Sequence, residues 1–164
     1  MGFAKDRVRG LRGEKLVART LENDGITCEI NEDNETNIYY DIECKMGRVK
    51  FTVEVKSDYM AERTGNLAIE YYNSKQGKPS GITVTKADLW VHCIKDGDNL
   101  TVWATSVDTL KAFIDAEEPI KKVEFGGDNN ASLLLYNEHH ILEIFERLDN
   151  LQEKQIKKAI KRLL

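Results

Sequence analysis

Asp41, Glu54 and Lys56 have the types and spacing that suit phosphate chemistry, and all three fall in one stretch, NIYYDIECKMGRVKFTVEVKS, from Asn37 to Ser57. Two carboxylates held side by side repel each other, which costs stability unless a positive charge lies between them. A divalent, oxygen-seeking cation such as Mg2+ meets that need. A lysine beside such an ion adds fixed positive charge where a phosphodiester gathers negative charge during cleavage.

Whether the acids meet depends on the strands that carry them. The stretch alternates apolar and polar residues on either side of a glycine, as two paired strands do. Ile38, Tyr40, Ile42 and Cys44 share one face of the first run, with Tyr39, Asp41 and Glu43 opposite. In the second run Phe51, Val53 and Val55 oppose Thr52, Glu54 and Lys56. If Gly47 and Arg48 are the two central residues of a tight turn, Asp41 lies directly across from Glu54. A turn centred on Met46 and Gly47 shifts the pairing by two and leaves the acids as diagonal neighbours about 7 Å apart. A three-residue loop would separate them. A second acid-x-Lys triplet, Glu43-Cys44-Lys45, serves as a decoy: its lysine abuts the turn, and the acids upstream of it lie in the polar loop NEDNETN.

Asp41, a gap of twelve residues, and then Glu54-Val55-Lys56 resembles the PD-(D/E)xK nuclease superfamily, which includes restriction enzymes, Holliday-junction resolvases and phage endonucleases; Tyr40 stands in place of the motif's proline. The resemblance spans Leu11 to Ile94. It implies an α/β fold with a restriction-endonuclease-like core and a metal-dependent endonuclease acting on duplex or branched DNA. In that reading Asp41, Glu54 and the Val55 carbonyl hold Mg2+, with Mn2+ as a substitute. Lys56 positions or helps deprotonate the attacking water, or stabilises charge on phosphorus. The rival readings are a nucleic-acid-binding module that has lost the chemistry, and a surface salt-bridge cluster of little energetic weight.

A helical pattern from Lys5 to Asn23 precedes these strands, closed by Asp24-Gly25, with Leu11, Val17, Ala18 and Leu21 on one face. Glu14 falls on that same face, where an acid needs a partner. Periodicity alone reads it as a stripe-edge residue paired with Lys15 or Arg12. The nuclease resemblance instead implies that it ligates a metal or holds a bound water.

Further along, Ile26–Ile30 reads as a strand, and Asn66–Tyr72 as another, whose Glu70 is either a solvated strand acid or a neighbour of Glu54. The loop NSKQGKPSG offers Lys75 and Lys78 to a phosphate backbone. By resemblance Thr85 and Lys86 are candidates to touch DNA, although a surface lysine with a capping threonine is the preferred account of them. Two strands, Leu89–Ile94 and Leu100–Ala104, lead to a helix capped by Ser106. Val123 and Phe125 open another strand, which returns at Ser132–Tyr136 after the Gly/Asn loop from Gly126 to Ala131. Glu138–Leu164 reads as one amphipathic helix, with Leu142, Phe145, Leu148, Leu151, Ile156, Ile160 and Leu163 as its stripe. His139 and His140 diverge by about 100° on such a helix and do not chelate one ion.

The whole is an α/β arrangement with a mixed central sheet flanked by helices. At 164 residues and 41% hydrophobic content it fits one domain, with a catalytic core to Asn137 followed by the C-terminal helix. No apolar run spans a bilayer and the N-terminus is charged, which places the chain in the cytoplasm, away from membranes. Cys28, Cys44 and Cys93 have no C-x-x-C spacing and read as reduced, structural thiols. The net charge of −4 hides two basic ends: Lys5, Arg7, Arg9, Arg12, Lys15 and Arg19 at one, and Lys154, Lys157, Lys158, Lys161 and Arg162 at the other. The last helix either completes the core or, through its stripe, builds a two-fold homodimer presenting two sites.

Overall fold

Gly47 adopts φ +62°, and Met46 pairs with Val49, so Gly47 and Arg48 are the central residues of the hairpin turn. Glycine first is the two-residue pattern whose twist matches that of the flanking strands. Of the registers open to the sequence, this turn selects the one that brings Asp41 opposite Glu54.

The hairpin sits within a chain whose computed structural model describes residues 2–32, 37–124 and 131–164. The elements run α1 (Gly2–Glu22), β1 (Thr27–Ile30), β2 (Ile42–Met46), β3 (Val49–Asp58), α2 (Ala61–Thr64), β4 (Asn66–Asn73) and β5 (Lys78–Pro79). After a 3-10 turn at Gly81–Thr83 come β6 (Leu89–Asp96), β7 (Asn99–Ser106), α3 (Val107–Ala116), β8 (Lys121–Val123), β9 (Ala131–Asn137), α4 (Glu138–Leu142), β10 (Glu146–Arg147) and α5 (Gln155–Leu163). Ser106 caps α3 as expected, its side chain accepting from Thr109 N.

The main sheet has the order β1-β2-β3-β6-β7-β10, with β3 parallel to β6 and every other pair antiparallel. A second sheet has the order β5-β4-β9-β8. The fold is therefore a mixed central sheet with helices around it. One face of the main sheet buries Ile42, Cys44, Phe51, Val53 and Val55 against Val17, Ala18 and Leu21 of α1 and Ile156, Ala159 and Ile160 of α5. Trp90 and Ile94, on the other face, pack with Leu67 and Ile69 of β4, Leu134 and Tyr136 of β9, and Leu110 of α3.

Three expectations need correction. The first concerns the hairpin's leading strand, which begins at Ile42 rather than Ile38, because the Tyr39 carbonyl is taken by Lys86 N and Thr85 Oγ1 instead of a strand partner. The second is Leu11, which is 38% exposed; it lies ahead of Gly13, where α1 closes onto β3. The third is the long terminal helix, which is broken into three pieces. Asp149 accepts from Val102 N and Leu148 N donates to the Val102 carbonyl, so β10 extends the sheet in the middle of the apolar stripe. Spacings of three to five residues fit both a helix and a path that crosses the sheet edge, with Leu142 and Phe145 in one core cluster and Leu148, Leu151, Ile156 and Ile160 in the other. Ile156, Ala159 and Ile160 of α5 are buried within the chain's own core. Phe125, the loop 126–130 and the acids at 33–36 lie outside the described residues.

Asp24 ties α1 to α5. Its carboxylate accepts from the backbone N–H of Lys154 and, at 2.7 Å, of Lys157. Burial works to raise its pKa, but those two N–H groups and the two lysine charges outweigh it and hold the group below its ordinary value. An acid with a lowered pKa stabilises the fold above its unfolded-state pKa and loses that contribution as pH falls. We expect Asp24→Ala to cost about 2 kcal/mol at neutral pH, read from urea unfolding, with the deficit shrinking in acid.

Candidate active site

β3 is ten residues long and β2 only five, so beyond Val53 the edge of β3 that faces β2 has no strand beside it. Asp41 occupies the start of that edge. Its N–H donates to the Val53 carbonyl at 2.9 Å, and its Oδ2 accepts from Val55 N at 2.7 Å. A strand residue turns its N–H and C=O to the same side. The carbonyl of Val55 therefore looks out beside Asp41, and so does the backbone of Ser57.

Glu54 and Lys56 leave β3 on the face that carries Trp90 and His92 of β6, their register partners. Lys56 Nζ lies 2.7 Å from Glu54 Oε1 and 5.8 Å from the centre of the Trp90 ring. Glu14 arrives from the other side, on α1. The close approach is made at Gly13, where a Cβ would stand 2.3 Å from Ser57 Oγ, so only glycine lets the helix backbone settle there without displacing that side chain. Together these elements border a cleft of about 620 Å³ whose lining includes Arg9, Glu14, Asp41, Val55, Lys56 and Glu70. Glu54, 7% exposed, stands behind Lys56.

The cluster is short of positive charge. Burial, then Asp41 and Glu54, push the Glu14 carboxyl up to about 7, with Lys56 opposing. Burial also raises Asp41 and Glu54; Lys56 opposes both, the Val55 N–H opposes the first, and Asp41 and Glu70 add to the second. Lys56 shows the converse: burial works to lower its pKa, yet Glu54, Asp41 and Glu70 raise it, so it stays an ammonium. Four carboxyl groups thus surround one fixed cation. Among the described residues no group of three or more His, Cys, Asp or Glu side chains is placed to hold a metal ion by itself. The available oxygen donors are instead Asp41, the Val55 carbonyl, Glu14, and Glu54 once it turns from Lys56. An open donor set of this kind suits an ion that keeps several of its waters, as Mg2+ does.

The chain is similar in fold to a bacterial homing endonuclease. The TM-score is 0.50 at 17% sequence identity, covering 65% of this chain and 72% of that one. No protein-family model and no curated protein matches the sequence.

The fold sorts the remaining expected residues. Lys75 and Lys78 are exposed, in the loop before β5 and in β5 itself, outside the cleft lining. Lys86 is exposed and stacks 4.0 Å over the Tyr39 ring. Thr85 is 5% exposed, and its hydroxyl donates to the Tyr39 carbonyl and accepts from Ala87 N, which pins the approach to Asp41. Glu14 makes no pair with Lys15 or Arg12; Arg12 reaches the Asp98 carbonyl instead. Glu70 does face Glu54 and Lys56, with Ser80 Oγ donating to its Oε1 at 2.7 Å. His139 and His140 are exposed, as read from the sequence. Among the described residues no helix is long and apolar enough to cross a membrane.

Sequence reasoning passed over Asp58 and His92 and took Arg9 only as part of a basic end; all three are in the cleft lining. Asp58 is the residue two beyond Lys56 on the same face. Its Oδ1 accepts from Met60 N and Ala61 N and its Oδ2 from Ala68 N, which fixes the turn into β4.

A pH prediction follows from Glu14. Its folded pKa of about 7 lies above its ordinary 4.5, so the fold holds this proton more tightly than the unfolded chain does. In chelator, stability should therefore fall as pH rises from about 4.5 to about 7. Glu14→Gln is expected to melt higher than wild type at pH 8 and level with it at pH 4.5. Equal melting temperatures at both pH values would remove the shift.

Proposed function

We propose that this chain is a metal-dependent DNA endonuclease of the PD-(D/E)xK kind. The observation that carries the reading is the open edge of β3, where Asp41, the Val55 carbonyl and Glu14 converge beside a Glu54–Lys56 pair in the register that the motif requires. The fold shared with a homing endonuclease supports it.

A bound Mg2+ would supply Lewis acidity and a coordinated water, held by Asp41, Glu54, the Val55 carbonyl and, directly or through water, Glu14. Asp41 is held to the edge by Val55 N and needs no reorganisation. Lys56 keeps its charge in a half-buried setting, where it places a water or steadies negative charge growing on the phosphate. Glu14, titrating near neutrality, is fitted to take and return a proton there. With the apolar face of α5 consumed in its own core, each chain brings one site, which suits nicking of one strand.

Labelled duplex, single-stranded and four-way-junction DNA, incubated with the protein in Mg2+, test this. Internal cleavage of at least one substrate is expected. Retarded mobility without cleavage of any of them would favour the rival reading of a binding module that keeps the fold and lacks the chemistry.

A further inference from the structure

His92 is 1% exposed, lies on β6 as the register partner of Lys56, and borders the same cleft. Its Nδ1 accepts from Trp90 Nε1 at 2.9 Å. A ring nitrogen that accepts carries no proton, so in the neutral imidazole the proton sits on Nε2. Burial, followed by the neighbouring Lys56 charge, holds the ring neutral, its pKa near 4 despite the opposing pull of Asp58. Asp58 makes no hydrogen bond to the ring; its two oxygens accept three backbone N–H groups in the turn toward β4. The buried side-chain polar atoms without a partner among the described residues are Ser57 Oγ, Tyr59 Oη and Thr105 Oγ1. His92 Nε2 makes no hydrogen bond among the described residues, and His92 is one of the residues that line the cleft.

Resting on the nuclease reading above, we infer that His92 is a substrate-binding residue whose Nε2–H, fixed in this tautomer by Trp90, donates to a non-bridging oxygen of the phosphate held beside Lys56. The pairing with Lys56 makes chemical sense. A charged imidazolium would repel the ammonium across the strand and compete with a divalent ion, whereas a neutral N–H adds a directed donor without adding charge. The same tautomer offers no lone pair to a metal, since its one unprotonated nitrogen is spent on Trp90. Phe145, edge-on to the ring with centroids 6.3 Å apart, packs against it and helps hold the ring in place. Trp90 is by the same token a positioning residue, acting through His92.

The test uses the full chain labelled with ¹⁵N-histidine. His92 should show a protonated Nε2 and an unprotonated Nδ1, and titration with thymidine 5′-monophosphate should move the Nε2 signal. In Trp90→Phe the tautomer should become mixed. In cleavage assays, His92→Ala should lose about 30-fold in kcat/KM, the scale of one hydrogen bond to a charged group, and His92→Gln, which keeps an N–H, should recover part of it. A nucleotide titration that leaves the His92 signals unmoved overturns the inference even if His92→Ala fails to fold. Signals that move in a protein that cleaves no nucleic acid keep the phosphate site and overturn the nuclease reading instead. Cleavage by His92→Ala at the wild-type rate overturns the inference while leaving that reading in place.

Discussion

Asp41→Asn, Glu54→Gln and Lys56→Ala should each lower DNA cleavage by about 10³-fold while the protein stays folded. Each removes charge aimed at the reacting phosphate rather than apolar packing. Folding does not depend on these acids being ionised, because burial raises the pKa of Asp41 and of Glu54 above the ordinary carboxylate value, against the opposing pull of Lys56. Single-turnover cleavage on saturating DNA measures the loss, and near-UV circular dichroism confirms the fold. Glu43→Gln is the internal control. Its carboxylate is exposed and reaches the Tyr40 hydroxyl at 3.4 Å, on a part of the sheet away from the cleft, so activity near wild type is expected. An inactive Glu43→Gln together with an active Glu54→Gln would assign the chemistry to the other triplet.

The largest stability effect is expected at Gly81. It has φ +53°, a region that side chains avoid, and a Cβ there would stand 2.2 Å from the Glu70 carbonyl oxygen and 2.8 Å from its carbon. The obstacle is backbone in β4, which cannot step aside as a flexible side chain would. Gly81→Ala should therefore cost on the order of 4 kcal/mol, combining left-handed strain with a forced shift of strand or turn. Gly77→Ala makes the comparison: φ is +61°, but nothing lies within 4 Å of its Cβ, so only the conformational cost of about 1 kcal/mol remains. Urea unfolding of both variants separates clash from strain. A Gly81→Ala variant no weaker than Gly77→Ala would mean that the 3-10 turn is not packed on Glu70 in this way.

The parts of the site legible in the sequence were those set by local rules. Strict alternation and a glycine turn carried Asp41 opposite Glu54, because a strand's side-chain period leaves few registers. Glu14 was visible as an acid on an apolar helical face. Glu70 stayed ambiguous because β4 belongs to a different sheet, and no local spacing relates it to β3. His92 was hidden in a strand that is buried along almost its whole length, where a lone polar residue looks like any satisfied core histidine. Arg9 passed as one charge among many on a basic helix. The C-terminal segment misled for a physical reason: its apolar residues recur at helical spacing, yet Leu142 and Phe145 pack on one face of the main sheet and Leu148 and Leu151 on the other, and the backbone between them pairs with β7. The signal available there was Asp149-Asn150, a turn pair inside the apparent helix.

The most direct test of the whole account is conversion of supercoiled plasmid by the purified chain in Mg2+, set beside the same reaction in excess chelator. The account predicts nicked circles that accumulate with Mg2+, disappear with chelator, and return when Mg2+ is restored. Equal cleavage in both tubes, or none in either at any Mg2+ or Mn2+ concentration, would contradict it.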